Sequence, residues 1–287
     1  MDNFYSGDVI QQFKTAMQDH GIEPPDSIIA DGTLQRFKID GKLNGAYCLH
    51  LDNKPAGFFQ DFKQGIKQTW KAASGYMPLS EFQKQQLTKK RFEDEQSRQA
   101  LEVSKHRDAA IKAVSIWAKA EPAPAATANH PYLIKKQIQA HGARSGRDNT
   151  LIIPIYAPDK ALVNLQFISP TGGKRFLAGG QKKGCFAVIR GTTERILIAE
   201  GYATAASLNE STGHQVFVAL DAGNLVPVSI EIRKLFPDSE LIICGDNDLS
   251  GVGQKAAHDA ALACHGAYLI PKVPGHHFND EINAGRI

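Results

Sequence analysis

Two carboxylates, Asp246 and Asp248, lie one residue apart directly after an apolar run, in the segment LIICGDND. Side chains alternate between faces along an extended segment, so both carboxylates are expected to point the same way. Like charges placed side by side repel each other unless they are solvated or a cation lies between them. The spacing therefore indicates a candidate cation site. For an isolated D-x-D pair, a solvated loop or a cap on the helix after Gly251 is the alternative.

A third carboxylate has the same relation to another strand. Glu200 ends the run RILIAE and is followed by Gly201. In an open α/β sheet, sites form at the carboxyl ends of the strands. If these two strands are neighbours, Glu200 meets Asp246 and Asp248 at one edge. Oxygen ligands of this kind suit Mg²⁺ or Mn²⁺, and Asp280 in HHFNDEINAG is a fourth candidate ligand.

The elements that must position these residues alternate regularly over the last hundred residues. The expected strands are RILIAE, VFVAL, LIICGD and AYLI. Helical patterns lie between them, and two of these helices end at Gly213 and Gly266. The strands are short and apolar, as parallel strands covered on both faces should be. The pattern predicts an α/β fold with a doubly wound parallel sheet at the C-terminus.

Three further parts are expected before this sheet. The first is a small N-terminal α+β domain with one helix and short strands. Most of its aromatic residues are expected in the core, with a base-stacking surface as the alternative. These residues are Phe37, Tyr47, Phe58, Phe59, Phe62 and Trp70. A long helix, or two, begins at the capping box SEFQ at Ser80 and reaches about Ala120, before a proline-rich linker at 121–131. A basic α+β subdomain follows, with the strands TLIIPIY, ALVNLQFI and CFAVIR. The predicted divisions are 1–76, 77–125, 126–193 and 194–287.

The charge distribution supports a polyanionic partner. Residues 126–195 carry eleven Lys or Arg against three Asp or Glu, whereas residues 196–287 carry five against eleven. A basic block beside an acidic one suits a polyanion on the first and a cation on the second; chance clustering on solvated faces is the alternative. The loop SPTGGKRFLAGGQKKG is glycine-rich, and its basic residues suit phosphate groups: Lys174, Arg175, Lys182 and Lys183.

Composition argues against several classes of protein. The chain is 42% hydrophobic, has no run of 18 apolar residues and does not begin with a signal-peptide pattern, so a cytoplasmic protein that does not enter membranes is expected. None of its four cysteines forms a C-x-x-C pair, and the segment CLH at Cys48 has no matching second pair. No zinc site is therefore expected.

Four segments together resemble the TOPRIM domain, which is shared by bacterial-type primases, type IA and type II topoisomerases and some nucleases. They are ILIAEGYATA, VFVALDAGNL, LIICGDNDLSGVGQKAA and HHFNDEINAG, and the resemblance covers roughly Glu194–Ile287. The family signature is a glutamate after the first strand and D-x-D after the third, here Glu200, Asp246 and Asp248. The resemblance implies that Asp246 and Asp248 bind Mg²⁺ or Mn²⁺, that Glu200 binds metal or accepts a proton, and that Asp280 completes or orients the ligand shell.

The upstream segments HPYL, NTLIIPIY, LVNLQFISPTGGKRFLAGG and KGCF resemble the basic subdomain of primases, especially plasmid and phage primase-like proteins. The implied function is a DNA primase that makes short primers on single-stranded DNA from nucleoside triphosphates, in plasmid, phage or mobile-element replication. The basic loop would hold triphosphates or template. Weaker candidates for the same groove are Tyr132, Lys135 and Lys136, and Asn224 either lines the site or shapes a turn.

The chain departs from the primase pattern in two places. It lacks the paired cysteines of the N-terminal zinc-binding domain, and Thr204 stands where many primases have a further acid. No Walker motif is visible, so a replicative helicase would be a separate partner or an omitted part of the chain. The rival interpretations are a TOPRIM nuclease and a non-catalytic single-stranded-DNA-binding replication protein.

Overall fold

The computed structural model describes residues 3–51, 54–72, 81–122 and 130–286. The chain divides into two compact units, Met1–Glu95 and Gln96–Ile287, and the division falls inside the long helix. The four-part division expected from the sequence stays a prediction. Ser80 and most of the expected linker at 121–131 lie outside the described residues.

In the first unit, one helix packs on an antiparallel sheet whose four strands are paired in chain order. The elements are α1 (Asn3–Asp19), β1 (Gln35–Ile39), β2 (Lys42–His50), β3 (Ala56–Asp61) and β4 (Ile66–Lys71). Phe13 and Met17 on α1 are fully buried against Tyr47, Leu49 and Phe59 of the sheet. This apolar contact between helix and sheet is the core of the unit.

The aromatic residues of this unit divide between core and surface. Three of them are buried in the core: Phe37, Tyr47 and Phe59. Trp70 packs against the same core, whereas Phe62 is 49% exposed and Phe58 lies on the opposite sheet face. The prediction that most of the six are core is confirmed, and Phe58 and Phe62 are the exceptions.

The long helix predicted from the sequence is a single helix, α2 (Glu81–Lys119). Most of its described side chains are exposed, as its high content of Gln, Lys, Arg and Glu requires. Within the second unit, Ala113 near the end of this helix is buried against Ile152 and Leu165. No helix in the described ranges is both long enough and apolar enough to cross a membrane.

After the end of α2, the second unit contains a five-stranded antiparallel sheet. Its strands are β5 (Glu121–Pro122), β6 (Arg144–Ser145), β7 (Leu151–Tyr156), β8 (Leu162–Ile168) and β9 (Lys174–Phe176), and the helix α3 (Pro131–Lys136) precedes β6. The strand β9 lies inside the loop predicted from SPTGGKRFLAGGQKKG. Successive residues of β9 point to opposite faces, so Lys174 and Arg175 are directed to different sides of the sheet.

The C-terminal sheet has the order β10-β12-β11-β13-β14. Its strands are β10 (Ala187–Ile189), β11 (Thr192–Ala199), β12 (His214–Val218), β13 (Glu240–Cys244) and β14 (Ala267–Leu269). All adjacent pairs are parallel except β10 with β12. The sequence places the run at Ala187–Ile189 in the preceding subdomain, but the structure pairs it with the C-terminal sheet.

Helices cover both faces of this sheet, as predicted for a doubly wound fold. They are α4 (Tyr202–Thr212), α5 (Leu225–Leu235), α6 (Val252–Cys264) and α7 (Phe278–Asn283). One face packs against α4 and α7, and the other packs against α5 and α6. The fold prediction is confirmed for the inner strands. For β14 the prediction of a fully buried strand is wrong, because it is an edge strand with Tyr268 and Leu269 exposed.

Candidate active site at the strand ends

The strands that carry the predicted carboxylates are neighbours. Ala199, the last residue of β11, pairs with Cys244, the last residue of β13, in a parallel register. Glu200 therefore leaves the sheet beside Gly245, and Asp246 follows one residue later. This register brings the two predicted segments to one edge of the sheet, as the strand-end argument requires.

Glu200 lies in a setting that disfavours its charged form. Its Oε1 atom is buried and has no hydrogen-bond partner in the protein. Burial, and then the negative charges of Asp246, Asp248 and Asp221, raise the pKa of Glu200 to about 7, against a smaller opposing effect of His277. An unpartnered carboxylate oxygen near other carboxylates is a position that a cation would stabilise.

Asp246 is only 8% exposed, and its two oxygens differ in their surroundings. The Oδ2 atom is 2.9 Å from Nδ1 of His277, whereas Oδ1 is buried and has no hydrogen-bond partner in the protein. The hydrogen bond to Asp246 is the main cause that raises the pKa of His277. His277 thus fixes one oxygen of Asp246 and leaves the other available to a ligand.

Asp248 fits both the helix cap and the candidate cation site that the sequence indicates. Its Oδ2 atom accepts a hydrogen bond of 3.0 Å from the backbone N–H of Gly253, in the first turn of α6. A Cβ atom at Gly253 would lie 2.6 Å from the carbonyl oxygen of Asp246, so the close approach of this helix to the loop requires glycine. Asp248 therefore stabilises the start of α6 and still adds negative charge beside Glu200.

Asp221 is a fourth carboxylate at this edge, and the sequence interpretation missed it. It follows the end of β12, the strand on the other side of β11, and its charge contributes to the raised pKa of Glu200. Its Oδ2 atom forms an ion pair with Nζ of Lys182. Thr204, where a further acid was expected by resemblance, is buried in α4. The strand-end rule applied to VFVALD would have identified Asp221.

Besides Lys182, two further lysines lie near the acidic groups. A Cβ atom on Gly201 would lie 3.8 Å from Nζ of Lys174, which places this ammonium group beside the start of α4. Desolvation by the surrounding protein atoms and then the positive charge of Lys136 lower the pKa of Lys174. The negative charges of Asp246 and Glu200 act in the opposite direction. Of the predicted basic residues, Lys174, Lys136 and Lys182 are therefore close to the acidic groups.

The other predicted site residues lie elsewhere. Tyr132 is buried in the core rather than in a groove, and burial raises its pKa to about 12. The guanidinium of Arg175 lies 5.3 Å from the ring centroid of Phe167, in a cleft of about 750 Å³ that is also lined by Lys119. Lys135 and Lys183 are exposed. The expectation that Tyr132 lines a phosphate groove is not compatible with its burial.

Asp280 and Asn224 have structural contacts. Asp280 accepts a hydrogen bond of 2.9 Å from the backbone N–H of His277 at the start of α7, and its Oδ1 atom lies 3.9 Å from Nζ of Lys136. The Nδ2 atom of Asn224 donates to the carbonyl oxygens of Lys182, Cys185 and Ala219 at 2.8–3.0 Å. Asn224 thereby ties the basic loop to the end of β12.

The donor atoms at this edge suit a hard divalent cation. Two carboxylate oxygens, from Glu200 and Asp246, are buried without partners, and carboxylates are the ligands that Mg²⁺ accepts from proteins. Across the described ranges, no three His, Cys, Asp or Glu side chains are close enough to form a ligand group of their own. The residues therefore fit a cation that is held by one or two carboxylates and completed by water or substrate phosphates.

Replacing Glu200 by glutamine tests this electrostatic setting. The pKa of Glu200 is about 7 in the folded protein and 4.5 ordinarily, so the folded state binds the proton more tightly. Without metal, the free energy of unfolding is expected to fall as the pH rises between these values. Glu200→Gln avoids that loss and should be more stable than the parent by roughly 1–2 kcal/mol at about pH 8, but not below the ordinary pKa. Denaturant unfolding of both proteins in EDTA measures this difference. A variant that is no more stable than the parent at about pH 8 would contradict the prediction.

Comparison with known proteins places these features in a family. Residues 195–285 match the family described as Toprim domain. A protein named DNA primase TraC, from Escherichia coli, is 32% identical over 261 residues, which are 85% of this chain and 24% of that relative. A second protein of the same name and organism is 33% identical over 285 residues, which are 91% of this chain and 19% of that relative. The chain thus spans about a quarter and about a fifth of the curated relatives it matches.

Solved structures give a weaker likeness. The primase fragment of the bacteriophage T7 primase-helicase protein has a TM-score of 0.43 and 15% identity, covering 54% of this chain and 70% of that one. The DnaG catalytic core has a TM-score of 0.41 and 14% identity, covering 56% and 70%. At such TM-scores nothing about the function of this chain follows. The family model described as Toprim domain matches residues 195–285, the part of the chain in which Glu200 and the two aspartates lie at the predicted strand ends.

Proposed function

We propose that this chain is a primase-like nucleotidyltransferase that makes short primers on single-stranded DNA by metal-dependent phosphoryl transfer. One observation carries the proposal: buried, unpartnered oxygens of Glu200 and Asp246 lie at the end of parallel strands, beside the ammonium group of Lys174. Carboxylates that can hold a cation and a lysine that can contact phosphate are the groups that this reaction needs. The name DNA primase, carried by both relatives, supports the same reaction class.

The carboxylates have distinct roles in this proposal. Asp246 and Asp248 would hold Mg²⁺ or Mn²⁺, and His277 keeps the Asp246 carboxylate in a fixed orientation through its hydrogen bond. A divalent cation bound there would stabilise the negative charge of the transition state and align the attacking and leaving oxygens. Glu200, with a pKa of about 7, either adds a ligand or accepts the proton of the attacking 3′-hydroxyl.

The lysines hold the substrate in this account. Lys174 and Lys136 lie where the phosphates of a nucleoside triphosphate would approach the carboxylates, and their mutual repulsion is relieved when a polyanion binds. Lys182 is directed by its ion pair with Asp221 and by the bonds of Asn224 to its loop. Asp280, which caps α7 beside Lys136, would orient the ligand shell from outside. In this proposal the template is single-stranded DNA, and a replicative helicase, on another protein or on an omitted part of the chain, acts with it in plasmid, phage or mobile-element replication.

The test supplies the full chain with single-stranded template, labelled nucleoside triphosphates, and Mg²⁺ or Mn²⁺. The proposal predicts short labelled oligonucleotides that require template and disappear in EDTA. Metal-dependent cleavage of DNA in the absence of nucleotides, with no oligonucleotide product, would favour a nuclease instead. Tight binding to DNA that ignores metal and yields no product would favour a non-catalytic binding protein. Either of these two results would overturn the proposal.

A further inference from the structure

One face of the first unit's sheet is not covered by α1. Because residues alternate between faces, the strand positions opposite the core form three rows across β1–β4. The first row is Arg36, Ala46, Gln60 and Lys67; the second is Cys48, Phe58 and Thr69; the third is His50, Ala56 and Lys71. Arg36, Lys67, Thr69 and Lys71 are exposed. We call these three rows the open face.

The open face is positively charged. Arg36 and Lys67 stand at the two ends of the first row, and Lys71 ends the third. None of the strand residues on this face, within the part of the chain that the structure describes, is acidic. Asp31 pairs with His50 and adds one carboxylate at that corner, where its Oδ1 atom accepts hydrogen bonds from the backbone N–H and hydroxyl of Thr33 at 2.8 and 2.7 Å. The positive charges of Arg36, Lys67 and Lys71 outnumber it. The face thus complements a polyanion.

One corner of the face is closed by the chain itself. The ring of His50 lies against Gly32, where a Cβ atom would approach it to 2.5 Å. The thiol of Cys48 donates to the carbonyl oxygen of Gly32 at 3.2 Å, and burial raises its pKa, so it adds no negative charge. The available surface is therefore the part from Phe58 to the basic ends of the rows.

Two aromatic rings lie on this surface. Phe58 occupies the middle of the second row, between Cys48 and Thr69. Phe62 follows β3 in the same alternation, is 49% exposed, and has its ring centroid 4.5 Å from the Cζ atom of Arg36. The guanidinium of Arg36 lies over one side of this ring and donates to the carbonyl oxygen of Leu43 at 2.5 Å, so an unpaired base would stack on the other side of the ring.

We propose that the open face binds single-stranded DNA, with bases stacked on Phe58 and Phe62 and phosphates beside Arg36, Lys67 and Lys71. Four strands spaced about 4.8 Å apart give room for roughly two or three bases. A duplex hides its base faces inside the stack, so a flat aromatic face selects the unpaired strand. The proposal rests on the proposed function only in taking the bound strand to be the template.

The test measures the affinity of the full chain for a labelled single strand by fluorescence anisotropy in EDTA. Phe62→Ala should weaken binding about tenfold through the loss of base stacking. The charge variant Lys67→Gln/Lys71→Gln should weaken it as well and lower the slope of log affinity against log salt by about 1.4. The matched control Lys234→Gln/Lys255→Gln removes the same charge from α5 and α6 and should bind like the parent.

Photocross-linking of the parent chain is a second measurement, and it does not depend on whether the variants fold. A single strand containing bromodeoxyuridine, cross-linked by light, should attach to the peptide that contains Phe58 or Phe62. Parent-like affinity of both face variants, equal weakening for duplex and single strand, or a cross-link confined to other peptides would overturn the proposal. The binding measurements are made in EDTA without nucleotides, so failure of primer synthesis by the parent and failure of this surface are separate results.

Discussion

Changing Asp246 to asparagine is expected to reduce primer synthesis about a hundredfold or more, since a preorganised charge at the reacting phosphate contributes at least this much. The substitution keeps the shape of the side chain and one carbonyl oxygen. It removes the negative charge that holds the cation and weakens the bond to His277, now 2.9 Å long. Labelled oligonucleotide formed per unit time, in Mg²⁺ and in Mn²⁺, measures the effect.

The fold should survive this change. Asp246 is the largest charged contributor to the raised pKa of Glu200, so removing its charge relieves repulsion inside the site. The thermal midpoint of Asp246→Asn in EDTA is therefore expected to equal or exceed that of the parent. Asp238→Asn makes the same chemical change on an exposed turn and should leave both activity and stability unchanged. Undiminished synthesis by Asp246→Asn would rule out its assignment as a metal ligand.

Replacing Asn224 by alanine is expected to destabilise the second unit by about 3 kcal/mol, because several buried polar groups lose their partner together. The amide of Asn224 accepts from the backbone N–H of Gly184 at 2.9 Å and donates to three carbonyl oxygens, two of them in the loop that carries Lys182. For a domain of this size the thermal midpoint should fall by about 6–12 °C.

A matched asparagine provides the control for this prediction. Asn283 is exposed and makes one hydrogen bond of 3.2 Å to the carbonyl oxygen of Lys136. Asn283→Ala should therefore change the thermal midpoint far less than Asn224→Ala, as calorimetry would show. If the two variants have the same thermal midpoint, Asn224 does not have the stabilising role that its four contacts indicate.

The sequence was sufficient to predict the positions of Glu200 and Asp246. Their strands are apolar and short, and the rule that sites lie at the carboxyl ends of parallel strands turns a linear pattern into a spatial one. The same rule extends to Asp221, which directly follows the run VFVAL. The strand-end rule does not predict the role of His277. The loop between β14 and α7 has no periodicity that would show which of its residues contacts Asp246.

Local sequence patterns also explain why the predicted fold differs from the structure at two strands. The strand β4 is difficult to detect from the sequence because three consecutive polar residues, Lys67, Gln68 and Thr69, interrupt the apolar alternation. The strand β10 was grouped with its neighbours in sequence, but its partner β12 begins about 25 residues later, at His214. Pairing over such a separation depends on tertiary packing, which neither composition nor periodicity records.

The position of a bound Mn²⁺ ion would show whether Asp246 and Asp248 are metal ligands. Crystals of the full chain grown with single-stranded template, nucleotide and Mn²⁺ would be measured by anomalous scattering. The account predicts an anomalous peak within about 2–2.5 Å of carboxylate oxygens of Asp246 and Asp248. The peak should be lost in matched crystals of Asp246→Asn. Saturating Mn²⁺ with no peak at these strand ends, or with peaks only at other residues, would contradict the account.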